Sequence, residues 1–431
     1  MLERPAGEWD VVVVGAGPAG LRAARAAALG GARTLVLDKA DAVGVPVRTS
    51  GGSFVTELDR LGVPARLYHP VTRLRFVGPR SEAVYDYPEP VACVLDVRGL
   101  YQHLAQEAIA AGAALRLRAR VEEPVLTGGA ATGVRFRDGL SGEACEARAR
   151  VVVDASGHAA LVARRAGGHP GFPSVGYGAE LDLFAPGFDE REAVLLVGSQ
   201  VAPRGYAWAF PHGGGRVRLG VGVTRPHTDL DPRAYLETVA ARVPGLRGAS
   251  PVEVHTGLVP AAAPDGAPLV AHGLLVVGDA AGQASSLVGE GIRYVMRAGD
   301  LAGGVAAGAV RAGDASRGFL ERYARAWQRE FGRDLRVAHA VHERLVSYDD
   351  AAWEERMPLL RAIPPGPFAR LLAGDFSPGL LLELGTRHPR LLATAGRLAA
   401  AGVGRRVNSA LTGGGSRPSP PLSGPDSGGT G

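Results

Sequence analysis

Lysine, asparagine and cysteine are almost absent from this chain of 431 residues, which has only Lys39, Asn408, Cys93 and Cys145 of these three kinds. An iron–sulfur cluster needs four thiolates, and a structural zinc site needs cysteines in closely spaced pairs. Two cysteines far apart in the sequence supply neither, so no metal site is predicted. Scarce cysteine also fits a protein that works in a reducing cytoplasm.

The chain also lacks blocks of positive charge and long apolar runs. Basic residues outnumber acidic ones by 48 to 43, but nearly all are arginines spread singly, whereas nucleic-acid-binding proteins concentrate them in patches. We therefore expect no nucleic-acid partner. No positively charged leader precedes the first predicted strand, and uncharged helical stretches such as 301–310 fall short of the ~20 residues that span a bilayer. The expected location is cytoplasmic, with peripheral contact to a membrane as a further option.

A strand, a glycine-rich turn and a helix follow one another near the start of the chain. Residues 11–14 are four valines typical of a buried parallel strand, Gly-Ala-Gly-Pro-Ala-Gly follows at 15–20, and an alanine-rich helix extends to about 29. A second strand over 34–37 ends at Asp38. In such βαβ units the glycines bring backbone amides against a pyrophosphate, and the acid binds a ribose hydroxyl. A dinucleotide site is predicted, with a purely structural glycine turn as the alternative.

Residues 203–222 contain three aromatic side chains that alternate with small residues: Tyr206, Trp208 and Phe210. On an extended strand this period of two places all three rings on one face. Pro211 is expected to end the strand, and three glycines at 213–215 before alternating apolar residues predict a hairpin. The rings would then form a sheet floor suited to a long apolar ligand. A strand face packed into the core is the alternative.

The rest of the chain alternates between strand and helix signals. Helical spacing covers 100–111, and short runs separated by glycine and proline predict a mostly antiparallel sheet over 165–265. Residues 316–411 have a helical pattern, whereas glycine, serine and proline dominate 412–431 and predict a disordered tail. Further strands are predicted at 114–120, 134–137, 151–153 and 274–277.

The order of these motifs resembles the geranylgeranyl reductase family of FAD-dependent enzymes, within the hydroxylase-type flavoprotein fold. Members of that family carry P-x-x-Y-x-W-x-F-P, then seven or eight residues, then G-x-G. The resemblance extends over residues 8 to about 310, and the C-terminal helices match only in general character. Every fixed position of the motif is matched, with eight residues in the gap: Pro203, Tyr206, Trp208, Phe210, Pro211, Gly220 and Gly222.

The resemblance implies an α/β fold in which a Rossmann-like FAD-binding domain is interleaved with an antiparallel, β-rich substrate domain, followed by a C-terminal helical region. The FAD-binding domain would take residues 1–70, 95–165 and 265–312. The substrate domain would take 71–94 and 166–264, with the helical region at 313–411 and the tail at 412–431.

The resemblance also implies the residues that contact FAD. Asp38 would bind the adenosine ribose in place of the family's usual glutamate, and Asp279, in Gly-Asp-Ala-Ala-Gly, would bind the ribityl hydroxyls. Val121 would meet the adenine, and Arg98 would reach the flavin side. A helix N-terminus near the flavin pyrimidine would stabilise negative charge on reduced flavin. The pyrophosphate and flavin positions are Gly15, Gly17, Ala19, Gly20, Thr49, Ser50, Gly52, Gly289, Gly291 and Ile292.

Two positions depart from the family pattern. After the second strand, relatives commonly read P-V-R-C-G with the cysteine near the flavin, whereas this chain has Thr49 at the cysteine position. Ser286 stands where relatives often have proline. A hydroxyl is far less acidic than a thiol, so the proton donor is left open among Tyr206, Thr49, Ser50 and an enclosed water. Tyr206, Trp208 and Phe210 form the predicted substrate surface.

Three functions on this flavin scaffold follow. The first, which the motif favours, is reduction of isoprenoid C=C bonds in a prenyl-chain substrate, with NAD(P)H or ferredoxin as electron donor. The second is an aromatic monooxygenase or halogenase, but hydroxylases usually have histidine and asparagine where this chain has Gly282 and Arg293, and Lys39 is misplaced for a halogenase lysine. The third is a flavin-binding protein without catalysis. A quinone oxidoreductase with an iron–sulfur cluster is excluded by the cysteine count.

Overall fold

Two large β-sheets organise residues 7–387, the part of the chain that the computed structural model describes. The strands are β1 (Gly7–Val14), β2 (Thr34–Leu37), β3 (Gly52–Phe54), β4 (Tyr68–Val71), β5 (Arg73–Val77), β6 (Glu82–Asp86), β7 (Ala92–Leu95), β8 (Ala114–Arg116), β9 (Ala119–Thr127), β10 (Ala130–Asp138), β11 (Ala144–Asp154), β12 (Val175–Phe184), β13 (Glu192–Gly198), β14 (Ala202–Gly213), β15 (Arg216–Arg225), β16 (Ser250–Pro260), β17 (Val270–Ala271) and β18 (Leu274–Val276). The helices are α1 (Pro18–Leu29), α2 (Val55–Arg60), α3 (Val97–Ala110), α4 (Leu161–Ala166), α5 (Leu236–Arg242), α6 (Ile292–Ala312), α7 (Arg317–Trp327), α8 (Arg333–Leu345), α9 (Asp350–Ala362), α10 (Pro365–Leu372) and α11 (Pro378–Arg387).

The first sheet has a parallel centre in the order β18-β11-β1-β2-β8, extended by β17 at one edge and by β9 and β10 through β11. The valines of 11–14 are almost fully buried, as a parallel strand covered on both faces requires. Because parallel strands end at the same edge, the loops that follow β1, β11 and β18 lie side by side. The predicted strand–turn–helix–strand unit at the start of the chain is confirmed.

The second sheet has the order β16-β12-β15-β14-β13-β5-β6 and is antiparallel except between β13 and β5. Alternate residues, such as Ala179, Ala207 and Leu219, pack on one face against Leu236 and Val239 of α5. The opposite face carries aromatic, glycine and charged residues and turns towards the first sheet's carboxyl edge. The predicted hairpin is confirmed as β14 and β15, joined by a turn of glycines with positive φ at 213–215.

Two details of the strand predictions are wrong. Pro211 does not end its strand, since β14 continues to Gly213 with a register shift between these residues. A bulge already interrupts the hydrogen-bond ladder there, so an absent N–H is tolerated. The strand predicted at 114–120 is split into β8 and β9, because Arg118 between them adopts a φ of 54° that no regular strand has.

Helices follow the two sheets, as predicted, and α7 passes into α8 through a π-helical turn at Gln328–Gly332. None of the helices within 7–387 is long and apolar enough to cross a bilayer. The remainder of the predicted helical region and the predicted disordered tail lie outside the described residues. The proposed domain boundaries remain predictions, although the two sheets draw their strands from different parts of the chain in the predicted interleaved order.

Candidate active site

A cavity of about 1010 Å³ is lined by residues of both sheets and of the C-terminal helices. Its volume is at the upper end of the range for small-molecule sites, which is roughly 300–1,000 Å³. Most of the positions singled out in the sequence line it: Gly15, Gly17, Ala19, Asp38, Thr49, Ser50, Val121, Tyr206, Trp208, Asp279, Gly289, Gly291 and Ile292.

The glycine-rich turn between β1 and α1 forms one end of the cavity. Gly15 has a φ of 107°, and a Cβ there would lie 2.3 Å from the carbonyl oxygen of Ala155. Gly17 has open space around its Cα among the described residues, so another molecule can approach the backbone there. Gly20 does not line the cavity and instead packs against the carbonyl of Gly15. The turn thus presents bare backbone at the N-terminus of α1, which suits a pyrophosphate.

Asp38 fixes this turn from the end of β2. Its Oδ2 accepts a hydrogen bond of 2.6 Å from the backbone N–H of Ala16, and its Oδ1 accepts one of 2.7 Å from Ala40. Each oxygen keeps a second lone pair, and the side chain faces the cavity. The carboxylate therefore has an evident role in holding the turn, and its contact with a ribose remains a prediction.

Asp279 lies after β18, in the short helical turn Gly278–Ala281, and points into the same cavity. Within residues 7–387 its carboxylate has no hydrogen bond or ion pair, and burial raises its pKa to about 6. This half-buried carboxylate, which has no protein partner among these residues and faces the cavity, suits a ligand with hydroxyl donors. The ribityl chain of FAD has such hydroxyls, and Gly291 lies next to Asp279 where α6 begins, so the residues present fit this cofactor.

Arg98 is placed differently from the other predicted cofactor residues. It is exposed in the first turn of α3 and does not line the cavity. Its backbone packs against Gly44, which does line the cavity, since a Cβ on Gly44 would lie 3.1 Å from the Cα of Arg98. Contact between its side chain and the flavin remains a prediction that this arrangement does not support.

The loop with Thr49 and Ser50 is held against the second sheet by Arg218. This buried side chain donates from Nη1 to the carbonyl oxygen of Ser50 at 2.6 Å and to that of Leu95 at 3.0 Å. Both hydroxyl residues line the main cavity and a smaller one of about 90 Å³ next to it. The substitute for the family cysteine is therefore at the cavity wall, in a fixed loop.

The three aromatic residues lie on one face of β14, as predicted. Ring centroids are 5.6 Å apart between Tyr206 and Trp208 and 6.3 Å apart between Trp208 and Phe210. Tyr206 donates its hydroxyl proton to the carbonyl oxygen of Val288 at 2.5 Å, and burial raises its pKa, so the phenol stays protonated. Phe210 differs from the other two because it does not line the main cavity; it lines the smaller one, together with Tyr206 and Gly52.

Gly220 explains the second half of the sequence motif. It is the cross-strand partner of Trp208, and a Cβ on it would lie 2.2 Å from Cζ2 of the indole. Only glycine lets the indole lie flat across β15. In this orientation Trp208 donates from Nε1 to Oε2 of Glu180, on the next strand, at 2.9 Å. The glycine and the tryptophan are therefore parts of one arrangement.

Glu180 and His255 are functional candidates that sequence reasoning missed. They are cross-strand partners on β12 and β16, both are buried, and both line the cavity. His255 donates from Nδ1 to Oε1 of Glu180 at 3.1 Å and from Nε2 to Oε2 of Glu253 at 2.9 Å. These carboxylates raise the pKa of His255. The available signal was the alternation of ionisable and apolar residues along each strand, which places the ionisable ones on one face.

The C-terminal helices form part of the cavity wall. Leu345 of α8, Trp353 of α9 and Leu372 of α10 line it, together with Leu195 of β13. These side chains are apolar, whereas the turn after β1 presents backbone amides. The lining therefore has polar and apolar parts, which suits a ligand pair made of a charged cofactor and a hydrophobic chain.

Two family models match the two halves of this arrangement. The model for FAD-dependent oxidoreductases matches residues 10–169, which contain the turn after β1. The model for the geranylgeranyl reductase catalytic domain matches residues 179–259, which contain Glu180, the aromatic strand and His255.

Curated relatives agree with both matches. Digeranylgeranylglycerophospholipid reductase 1 of Methanothermobacter thermautotrophicus is 33% identical over 359 residues, which cover 80% of this chain and 88% of that protein. Digeranylgeranylglycerophospholipid reductase 2 of Methanopyrus kandleri is 31% identical over 91% of this chain and 99% of that protein.

Solved structures give the same fold. A geranylgeranyl bacteriochlorophyll reductase-like protein from Thermoplasma acidophilum superposes with a TM-score of 0.81 at 25% identity, covering 91% of this chain and 99% of that chain. The flavin-dependent brominase Bmp2 superposes with a TM-score of 0.65 at 17% identity, covering 85% and 94%. The second likeness shows a shared fold alone.

Proposed function

The chain belongs to the geranylgeranyl reductase family of FAD-dependent oxidoreductases, and from this premise we propose that it saturates C=C bonds in the isoprenoid chains of a prenyl lipid. A digeranylgeranylglycerophospholipid is the first substrate to test, because the two methanogen relatives are named for it.

The observation that carries the proposal is the aromatic floor of the cavity. Tyr206 and Trp208 line the cavity, and so do apolar side chains of the C-terminal helices. An isoprenoid double bond has no polar group with which an enzyme can form a hydrogen bond. The double bond therefore has to be aligned by the shape of the cavity and by exclusion of water. A flat indole next to an apolar passage provides both for a branched hydrocarbon chain.

FAD would be held at the polar end by the turn at 15–20 and by Asp279. When bound and reduced, it supplies the hydride equivalent that an alkene needs. Ile292 begins α6, a helix of 21 residues, and its N-terminal amides face the cavity near Gly291. The dipole of such a helix stabilises negative charge placed at that end.

The reaction also needs a proton, and the family cysteine is not there to give one. Thr49, Ser50 and Tyr206 lie at the cavity wall. Thr49→Cys restores the family residue, so unchanged or lower turnover in this variant would indicate that the hydroxyl is sufficient. Higher turnover would indicate that the threonine is a weaker substitute for the thiol.

Assays with the same purified enzyme also test the alternative function, aromatic hydroxylation. Arg293, where hydroxylases usually have asparagine, is buried, is paired with Glu290 at 2.7 Å and does not line the cavity. If the purified enzyme consumes NADPH and O₂ to hydroxylate an aromatic compound and leaves the prenyl lipid unchanged, the alternative holds.

The test is anaerobic reduction of a digeranylgeranylglycerophospholipid by FAD-loaded protein, with dithionite as electron source so that the unidentified donor, NAD(P)H or ferredoxin, does not limit the result. Mass spectrometry should show products heavier by two mass units per bond. Trp208→Ala should abolish this reduction and retain FAD. Because removal of this side chain lowers the free energy of unfolding by roughly 3–5 kcal/mol, circular dichroism has to show first that the Trp208→Ala variant is folded. Full turnover by the folded variant would contradict the assignment of the aromatic floor.

A further inference from the structure

A line of ionisable side chains connects the cavity with solvent across the edge of the second sheet. Glu253 is 57% exposed on the edge strand β16, whereas His255 and Glu180 are buried on β16 and β12. Glu253 and Glu180 each accept one hydrogen bond from His255, on opposite ring nitrogens. No other residue intervenes between the exposed carboxylate and the carboxylate that lines the cavity.

The hydrogen-bond geometry fixes the protonation state of the imidazole. Each ring nitrogen faces a carboxylate oxygen, and ionised carboxylates only accept. The ring therefore carries both protons while both carboxylates are ionised. A proton that leaves Nδ1 for Oε1 of Glu180 leaves a neutral ring with its proton on Nε2. After the ring has changed to the Nδ1–H tautomer, Nε2 accepts a proton from protonated Glu253, which restores the imidazolium and completes the relay.

We propose that Glu253, His255 and Glu180 form a proton path from solvent to the cavity, and that Glu180 is the group at which the proton enters. This inference rests on the proposed function. Saturating one C=C bond consumes one hydride equivalent, whose electron pair comes from the reduced flavin, and one proton. The path supplies that proton: the O–H bond at Oε1 of Glu180 breaks, a C–H bond forms at the second alkene carbon, directly or through an enclosed water, and His255 reprotonates Glu180.

Trp208 gives Glu180 its position. The indole N–H holds Oε2 at 2.9 Å, so Oε1 is the oxygen that exchanges protons with His255. The same indole forms part of the aromatic floor beneath the proposed substrate. A double bond lying on that floor is therefore beside the carboxyl group, which gives the proton a short route to the chain.

Two other ionisable groups lie near the path. The charge of Glu253 contributes to the raised pKa of Arg216 on β15, and the charge of Glu180 contributes to the raised pKa of Tyr206 on β14. The carboxylates of Glu180 and Glu253 raise the pKa of His255. Since the path needs a protonated imidazole, turnover should fall as pH rises through the pKa of His255.

The decisive variant is Glu180→Gln, which keeps an oxygen for the Trp208 N–H and cannot carry a proton. In FAD-loaded enzyme reduced with dithionite, we expect single-turnover saturation of the prenyl lipid to slow by about 100-fold or more. FAD content should be unchanged. His227→Gln is the matched control, because His227 and Glu343 form a solvent-side pair 3.6 Å apart that lies outside the cavity lining.

Glu253→Gln tests the outer step without touching the buried pair. The alkaline limb of the pH–rate profile should move to lower pH by up to about one unit, because the imidazolium loses one of its two carboxylates. Histidine NMR provides a readout that needs neither cofactor nor substrate. The His255 signal should titrate above the ordinary value of about 6.5 in wild type and at lower pH in Glu180→Gln and Glu253→Gln.

The outcomes separate the path from the function on which it rests. Turnover of folded Glu180→Gln at the wild-type rate, in an assay where wild type saturates the lipid, would overturn the path alone. A pH–rate profile that is the same in Glu253→Gln and wild type would do so too. If wild type binds FAD and saturates no prenyl lipid, the proposed function fails and the catalytic use of the path fails with it.

Discussion

The edge of the parallel sheet and the face of the antiparallel sheet line one cavity but shape it by different means. At the edge, the surface is backbone: Gly15 and Gly17 lie within a few residues of each other, and their lack of side chains leaves the amides bare. On the face, the surface is made by side chains. Trp208, Glu180 and His255 come from three strands and contact each other only because the sheet aligns them.

Because of this difference, we expect the edge to determine cofactor binding and the face to determine the rate of the reaction. A backbone surface can hold any ligand with phosphates and is sensitive to the addition of a single methyl group. A side-chain surface depends on the register of several strands, and its hydrogen bonds can be changed one atom at a time. Variants at the edge should therefore affect cofactor content, and variants on the face should affect turnover with the cofactor still bound.

Gly15→Ala is the largest expected effect. Its φ of 107° and a Cβ 2.3 Å from the carbonyl oxygen of Ala155 require the turn to move. We expect FAD to be lost and the free energy of unfolding to fall by roughly 1–3 kcal/mol from backbone strain alone. Gly17→Ala is the control, because open space and extended backbone accept its methyl group. Apo stability should then stay within about 0.5 kcal/mol of wild type while FAD affinity falls. FAD retained by Gly15→Ala would break the comparison.

Gly220→Ala is the matching change on the sheet face. The new methyl group would lie 2.2 Å from the indole of Trp208, so the ring must tilt and lose its hydrogen bond to Glu180. Overpacking of this kind costs about 1–3 kcal/mol. Turnover should fall with FAD still bound, and tryptophan fluorescence should report the altered ring. Gly222→Ala, 3.3 Å from the same ring, should have a smaller effect. Equal effects in both variants would argue against the flat indole as the cause.

The same contrast explains which parts of the molecule could be predicted from sequence. The turn at 15–20 was predictable because its strand, glycines and helix are contiguous and each has a local physical signature. The face of β14 was predictable from the alternation around Trp208. Glu180 and His255 were not, because nothing in either strand specifies that 180 pairs with 255. That register is set by the packing of the whole sheet.

Pro211 shows a further limit, and the cofactor contact of Arg98 is still a prediction. A proline was interpreted as the end of a strand, but the bulge next to Pro211 removes the hydrogen bond that its nitrogen could not make. Arg98 was assigned by position in a resemblance, whereas its side chain is exposed on α3. Side-chain direction depends on where the helix docks, and no local pattern contains that information.

Asp279→Asn tests whether a side chain at the edge of the parallel sheet also affects cofactor binding, as the bare backbone there is expected to do. Burial raises its pKa to about 6 from an ordinary 3.8. The contribution of Asp279 to the free energy of unfolding of the apo wild type is therefore fully present below pH 3.8 and is lost as the pH rises through 6. Asparagine removes the charge. At pH 8 the apo variant should be more stable by about 1–2 kcal/mol and should bind FAD more weakly. Denaturant unfolding at pH 5 and 8 tests this, and an apo variant less stable than wild type at pH 8 would contradict it.

His342→Gln gives the smallest expected effect and tests the helical end of the cavity. Burial lowers the pKa of His342 to about 4, below an unfolded value of 6.5, so its contribution to stability is present above pH 6.5 and is lost as pH falls towards 4. On going from pH 7 to pH 5.5, protonation of this histidine should lower the free energy of unfolding of the wild type by about 1 kcal/mol, and the variant should not show this loss.

His212, whose pKa is also lowered to about 4, remains in both proteins, so the difference between their pH profiles isolates His342. Because His342 lies beside Thr224 on the cavity wall and is not among the residues expected to contact FAD, its titration should leave FAD content unchanged. If the free energy of unfolding changes with pH in the same way in the variant and the wild type, protonation of His342 does not destabilise the protein. That result would contradict the lowered pKa that burial beneath the C-terminal helices predicts.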